Sequence, residues 1–233
     1  MSRRAEIDKL RIGVLASGRG SNLQAIIDAI EAGTLDARLV CVLSNKADAP
    51  ALDRARRHNI TPIFLDAKPF AAKSSDPAEK QAAREAYDRA VLDVLRKQDV
   101  ELVILAGYMR IVTSVLIDAY HNRMMNIHPS LLPSFPGLDV QQKALDWGSK
   151  LAGCTVHFVT EGVDEGPIII QAAVPVHQGD TAETLAARIL IEEHRIYPTA
   201  IQWYAEGRLK VEGRRVHLAG APPPLGSLIN PPG

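Results

Sequence analysis

The chain has 233 residues, 46% of them hydrophobic, which is enough to bury a full α/β core without covalent staples. Its 27 Lys and Arg balance 27 Asp and Glu, so no global basic field draws in nucleic acid or an anionic membrane surface. The two cysteines, Cys41 and Cys154, stand far apart in apolar runs, which fits neither metal-ligand spacing nor a redox pair and points to buried thiols in a reducing compartment.

The opening residues Met1–Glu6 carry no signal-type apolar core, and no apolar run approaches transmembrane length, so a cytoplasmic protein is expected. Arg11–Ala16 reads as a short buried strand. Ser17–Ser21 is a turn, and Asn22–Ala32 has helical periodicity. Strands follow at Leu39–Leu43, Thr61–Leu65 and Glu101–Leu105, with helices over Ala51–His58 and Pro77–Gln98 between them. This alternation implies a doubly wound, mostly parallel α/β sheet. A short helix at Ser114–Tyr120 leads to a strand at Met124–Ile127, and a helix spans Val140–Trp147. Gly153–Thr160 and Pro167–Val176 read as a late antiparallel pair across the turn Glu161–Gly166. A long helix over Thr181–Glu206 opens on Asp180 or Thr181 as its N-cap, and Pro198 is expected to kink or break it. The segment from Ala221 to Gly233 is rich in Pro and Gly, with poor order expected.

Three elements carry chemistry. Asn126-Ile127-His128 places an amide and an imidazole on one side of an extended segment, because strand side chains alternate with period two. An amide can donate to a developing oxyanion and an imidazole can carry a proton, a kit suited to acyl transfer; the same pair also occurs as a plain polar contact at a strand end. The loop Gly18-Arg19-Gly20-Ser21-Asn22 lies between a strand and a helix, where backbone N–H groups converge on a phosphate-sized point. It is not a dinucleotide fingerprint, since Leu23 replaces the third glycine and the second strand ends in Ser44-Asn45-Lys46 rather than a carboxylate. It is not a Walker A loop either, which leaves a phosphate monoester or a plain βα turn capped by Ser21. The acidic turn around Asp164 is a solvated hairpin when read alone. Read with Asn126 and His128 it supplies a carboxylate to orient the ring.

Six segments in order, Ile12–Ile26, Ser44–Ala49, Leu105–Ile111, Asn126–Pro133, Gly153–Thr160 and Glu193–Pro198, resemble the phosphoribosylglycinamide formyltransferase family, the folate-dependent transformylases of purine biosynthesis. The Ser130-Leu131-Leu132-Pro133 loop marks only the wider formyltransferase group; the glycine loop, Ser44-Asn45-Lys46 and Glu193-His194-Arg195-Ile196-Tyr197-Pro198 narrow it. The resemblance implies a Rossmann-like formyltransferase fold and 10-formyltetrahydrofolate as co-substrate, with no metal. It implies that Gly20, Ser21 and Asn22 hold the phosphate of glycinamide ribonucleotide and Glu193 its ribose. Arg84, Leu105, Met109, Arg110, Ile111 and Val112 would hold the folate, with Asn126 and the loop Thr160, Glu161, Gly162, Val163 and Asp164. Asn126, His128 and Asp164 would carry the chemistry, and the Leu132–Pro133 bond would be cis. Residues 1–218 would form one domain, its first half binding the nucleotide and its second half the folate, with 219–233 as a tail; the oligomer, monomer or homodimer, stays open.

Leu190 stands where relatives place a polar residue, and Asp139 and Gln141 where many have His. Three other readings share parts of this pattern. A methionyl-tRNA formyltransferase would carry a further C-terminal domain and a basic surface. A formyltetrahydrofolate deformylase would carry an additional N-terminal domain, for which the strand beginning by Arg11 leaves no room. A binding module without turnover would have no use for the intact trio of Asn126, His128 and Asp164.

Overall fold

Short apolar runs become strands because their β-branched and aliphatic side chains fill both faces of a covered sheet. The computed structural model describes residues 9–223 with Gly226 and Asn230. The parallel strands are β1 (Leu10–Leu15), β2 (Ala37–Ser44), β3 (Thr61–Phe64), β4 (Leu102–Leu105) and β5 (Met124–His128). After them come β6 (Leu151–Phe158), β7 (Ile168–Pro175), β8 (Leu209–Glu212) and β9 (Arg215–Leu218). The helices are α1 (Ser21–Glu31), α2 (Pro50–Arg57), α3 (Pro77–Lys97), α4 (Ser114–Ala119), α5 (Val140–Asp146) and α6 (Ala182–Ala205).

One nine-stranded sheet runs in the order β3-β2-β1-β4-β5-β6-β7-β9-β8. It is parallel from β3 to β5, as the β-α alternation predicts, and antiparallel from β5 through β7. Alternation within strands divides the core. Ile12, Val14, Leu102 and Ile104 pack with α1, α2, α5 and α6, while Leu15, Val103 and Leu105 pack under α3 and α4. Cys41 and Cys154 are both buried free thiols, and burial pushes each up to about 12.

Two expectations need correction, and one hairpin was not foreseen. The long helix α6 runs unbroken through Pro198, which is buried against the core, and packing there outweighs one lost backbone hydrogen bond. Ser21 does not cap α1; the N-cap is Gly20, and Ser21 is the first helical residue. The hairpin β8–β9 follows α6, joining the sheet where β9 pairs with β7 at Ile168 and Arg215. Its half-exposed strands are too short to announce themselves by periodicity. The reading of Met1–Glu6 lies outside the described residues, as does most of the proline-rich tail. Within that tail, Asn230 donates to the carbonyls of Lys150 and Val176 at 2.6 and 3.2 Å.

Candidate active site

The strand order reverses between β1 and β4, and such switch points open a crevice beyond the carboxyl ends of the strands. The glycine loop leaves β1 there. Gly20 adopts φ 71°, and a Cβ on it would lie 3.1 Å from Ala51 Cα, so glycine alone fits both the turn and the close approach of α2. No side chain caps α1, which leaves its first N–H groups without a side-chain partner. From α2, Arg54 pins the loop by donating to the Arg19 carbonyl at 2.9 Å. Asn22 is buried and donates to Glu193 of α6 at 2.7 Å, while its Oδ1 has no partner. Burial raises the Glu193 carboxyl above its ordinary value, with the Asn22 hydrogen bond and the nearby His128 opposing. Leu190 is half-buried on the same helix, one turn before Glu193, and offers no polar group toward this pocket.

Asn126, His128 and Asp164 meet. Asp164 lies in the turn after β6, its side chain 11% exposed, and its carboxylate faces His128 Nδ1 at 3.3 Å. The same carboxylate accepts from the Gly137 N–H at 2.9 Å and from the Asn126 amide at 3.5 Å. His128 Nε2 lies 2.9 Å from the Phe135 carbonyl, so both ring nitrogens face oxygen acceptors and a ring protonated at both would satisfy both. Phe135, Asp139 and Asp164 all have positive φ, at 52°, 57° and 57°. Three non-glycine residues in the left-handed region around one site mark a backbone held by its surroundings. The loop between His128 and Phe135 carries the expected cis Leu132–Pro133 bond. Its Ser130 and Leu132 are tied to Thr155 of β6, whose hydroxyl donates to one carbonyl and accepts the other's N–H. Gly166 closes the far side of the Asp164 turn, where a Cβ would fall 1.7 Å from the Phe158 carbonyl.

His157 is the residue that reading the sequence passed over. It sits opposite Asn126 in the β5–β6 register. Its Nδ1 lies 2.9 Å from the Phe158 carbonyl, an acceptor only, which leaves Nε2 to accept from the Asn126 amide at 3.3 Å. Burial lowers its pKa, against the carbonyl contact and the Asp164 charge that raise it. The cross-strand register that pairs His157 with Asn126 is not written in either segment alone.

The segment after β4 carries Met109, Arg110, Ile111 and Val112. Met109 and Ile111 are 66% and 55% exposed, and Val163 in the turn after β6 is 56% exposed. Exposed apolar side chains on two neighbouring loops suit a flat apolar ligand. Asp88 of α3, buried and raised by that burial, anchors this segment by accepting from the N–H and hydroxyl of Thr113 at 2.7 and 2.8 Å. The Arg110 guanidinium stacks on the Tyr87 ring, 4.2 Å from its centre. Arg84 is exposed on α3, while Leu105 is buried in the core beneath the loop rather than open to the cleft. Thr160, Glu161 and Gly162 lie in the turn leading to Asp164. Asp139 is the N-cap of α5 with no side-chain bond to it, and Gln141 follows in the first turn of that helix.

A glycine loop opening a helix and a cluster of Asn126, His128 and Asp164, both carried by one Rossmann-like sheet, form an arrangement suited to a group-transfer enzyme. The family model described as formyl transferase matches residues 10–201, and the chain belongs to that family. It is 44% identical to phosphoribosylglycinamide formyltransferase of Escherichia coli K12 over 211 residues, covering 91% of this chain and 94% of that one. Among solved structures it is similar to glycinamide ribonucleotide transformylase 1 of Symbiobacterium toebii, at 54% identity and a TM-score of 0.83, covering 91% and 94% of the two chains. A formyltetrahydrofolate deformylase of Pseudomonas syringae pv. tomato also superimposes, at 28% identity and a TM-score of 0.79; the match covers 91% of this chain and 67% of that one.

Proposed function

We propose that this chain transfers a formyl group from 10-formyltetrahydrofolate to the amine of glycinamide ribonucleotide, giving formylglycinamide ribonucleotide and tetrahydrofolate in purine biosynthesis. The observation that carries this reading is the meeting of Asn126, His128 and Asp164 across the crevice from an uncapped helix N-terminus. The formyl folate is the family's donor, and it enters as a co-substrate.

In this reading the first N–H groups of α1, at Ser21 and Asn22, receive the nucleotide phosphate with Gly20. The Glu193 carboxylate and the unpaired Asn22 Oδ1 are acceptors suited to ribose hydroxyls. The folate lies along Met109–Val112 and the Thr160–Asp164 turn. The amine attacks the formyl carbon, and charge collects on the formyl oxygen. Asn126 is ready to donate there, because its present contacts at 3.3 and 3.5 Å are long and easily exchanged for a shorter one to a charged oxygen. His128 supports the developing negative charge, and Asp164 holds the ring in orientation. As the carbon–nitrogen bond to the folate breaks, the folate nitrogen gains a proton and the attacking amine loses one; since both His128 ring nitrogens are engaged, the ring joins that exchange only if one contact opens or a water relays the proton. Juxtaposition of two bound substrates supplies much of the rate.

These contacts support the site assignments, and the sheet that continues without interruption into β9 supports reading residues 1–218 as one catalytic unit. No helix among the described residues is long and apolar enough to cross a membrane, and the two buried thiols suit a reducing cytoplasm. Small molecules are the partners in this reading, as a monomer or a homodimer. The test is product formation from both substrates. Formylglycinamide ribonucleotide and tetrahydrofolate in equal amounts are expected. Release of formate independent of the nucleotide would assign a deformylase instead, and binding without turnover would leave a sensor module.

A further inference from the structure

Ser17 follows the end of β1 by two residues, at the switch point, and is 3% exposed. Its backbone N–H donates to the Gly107 carbonyl at 3.0 Å. Its hydroxyl donates to Asn45 Oδ1 at 2.7 Å and accepts from the Met109 N–H at 2.9 Å. A hydroxyl is the small group that can do both, having one proton to give and lone pairs to receive. The ends of β1, β2 and β4 therefore meet at one side chain. The loop leaving β1 is the glycine loop, and the loop leaving β4 carries Met109, Arg110 and Ile111.

We propose that Ser17 is a positioning residue for the transfer step: its hydroxyl sets the two substrate-holding loops in register with each other, so that the amine of one substrate meets the formyl carbon of the other. This rests on the two-substrate reading above. Each substrate contacts mainly one of the loops, so its own binding survives a small relative shift. Transfer requires both at once, and a displacement of about 1 Å between reacting groups costs on the order of a hundredfold in rate. Loss of the bridge therefore falls on kcat and leaves each KM nearly unchanged. Asn45 takes part as the acceptor that orients the Ser17 proton away from Met109, leaving a lone pair for the Met109 N–H.

The test uses the full chain with Ser17→Ala, Asn45→Leu and Asn45→Asp. Ser17→Ala and Asn45→Leu are expected to lower kcat about ten- to a hundredfold, with both KM values within about threefold of wild type. Asn45→Asp keeps an oxygen acceptor and is expected to stay within about threefold of wild type in kcat. Amide hydrogen exchange at Met109, which needs no substrate, is expected to quicken roughly tenfold in Ser17→Ala, the loss of about one hydrogen bond. Unchanged kcat in both removal variants overturns the proposal, even with a lower melting temperature, and so does Asn45→Asp failing as badly as Asn45→Leu. If Ser17→Ala does not fold, the two Asn45 variants decide between these outcomes. An inactive wild type with normal Met109 protection would sink the two-substrate reading, while lost protection in Ser17→Ala would still report the bridge.

Discussion

His128 is gripped at both nitrogens, and that arrangement makes Asp164 the group whose removal is most informative. Asp164→Asn keeps the size and the tolerated left-handed backbone but removes the negative charge facing Nδ1. The expected result is a fall in kcat of roughly two orders of magnitude or more, with much smaller changes in the dissociation constants of both substrates. Steady-state kinetics with equilibrium binding decide it, and near-native turnover would return the mechanism to Asn126 and His128 alone. His157 offers a pH test. Its folded pKa lies below the ordinary 6.5, so the unfolded chain binds the extra proton first. Stability linked to this ring is full above pH 6.5 and is lost as pH falls from 6.5 toward the lowered folded value. The wild type should lose unfolding free energy over that interval by up to about 1 kcal/mol per pH unit more than His157→Gln. Equal slopes in chemical denaturation at several pH values would refute it. At this scale the sequence disclosed Asn126 and His128 through period-two alternation, and Asp164 only through resemblance. His157 stayed hidden because its partner is chosen by strand register, which a single segment does not carry.

Among elements, the hairpin β8–β9 does more than finish the sheet. Arg214 in its turn donates to the Glu165 carbonyl at 2.9 Å, bracing the Asp164 turn from behind. Arg214→Ala should lower kcat roughly two- to tenfold, the range for one exposed hydrogen bond from a charged donor, while the melting temperature moves little. A variant with wild-type kcat would detach the hairpin from the site. The β-α alternation through the first five strands was plain in the sequence because each buried run is continuous and each helix is flanked by turn residues. Strand and helix ends shifted by a residue or two, as at Pro50–Arg57 and Leu151–Phe158. What local reading missed was set by tertiary context. Pro198 sits in a continuous helix because its ring fills the core, and Leu209–Glu212 is a strand because β9 gives it an edge to pair with.

Across the whole molecule, the described part of the tail bears on the body lightly. Arg208 donates to the carbonyls of Ala219 and Gly220 just beyond β9, and the Ala221 N–H donates to the Leu218 carbonyl. Deleting the chain after Ala221 removes the Asn230 contacts, one exposed and one part-buried, and is expected to cost no more than about 1 kcal/mol with kcat intact. A loss of several kcal/mol in chemical denaturation would mean that the tail docks. A different dependence joins the two ends of the fold. Asn22 and Glu193 are 171 residues apart in sequence, and α1 packs directly on α6. During synthesis, then, Leu23, Ile26 and Ile27 of the first helix can settle on early strands and on α2, but the part of their apolar face that meets Leu185–Ile201 stays open until α6 has left the ribosome. A nascent chain that stops short of α6 lacks the Asn22–Glu193 contact and so cannot close the proposed nucleotide site. That delay leaves one apolar strip of the helix open for most of the time needed to make the protein, which is the interval in which a chaperone would matter most.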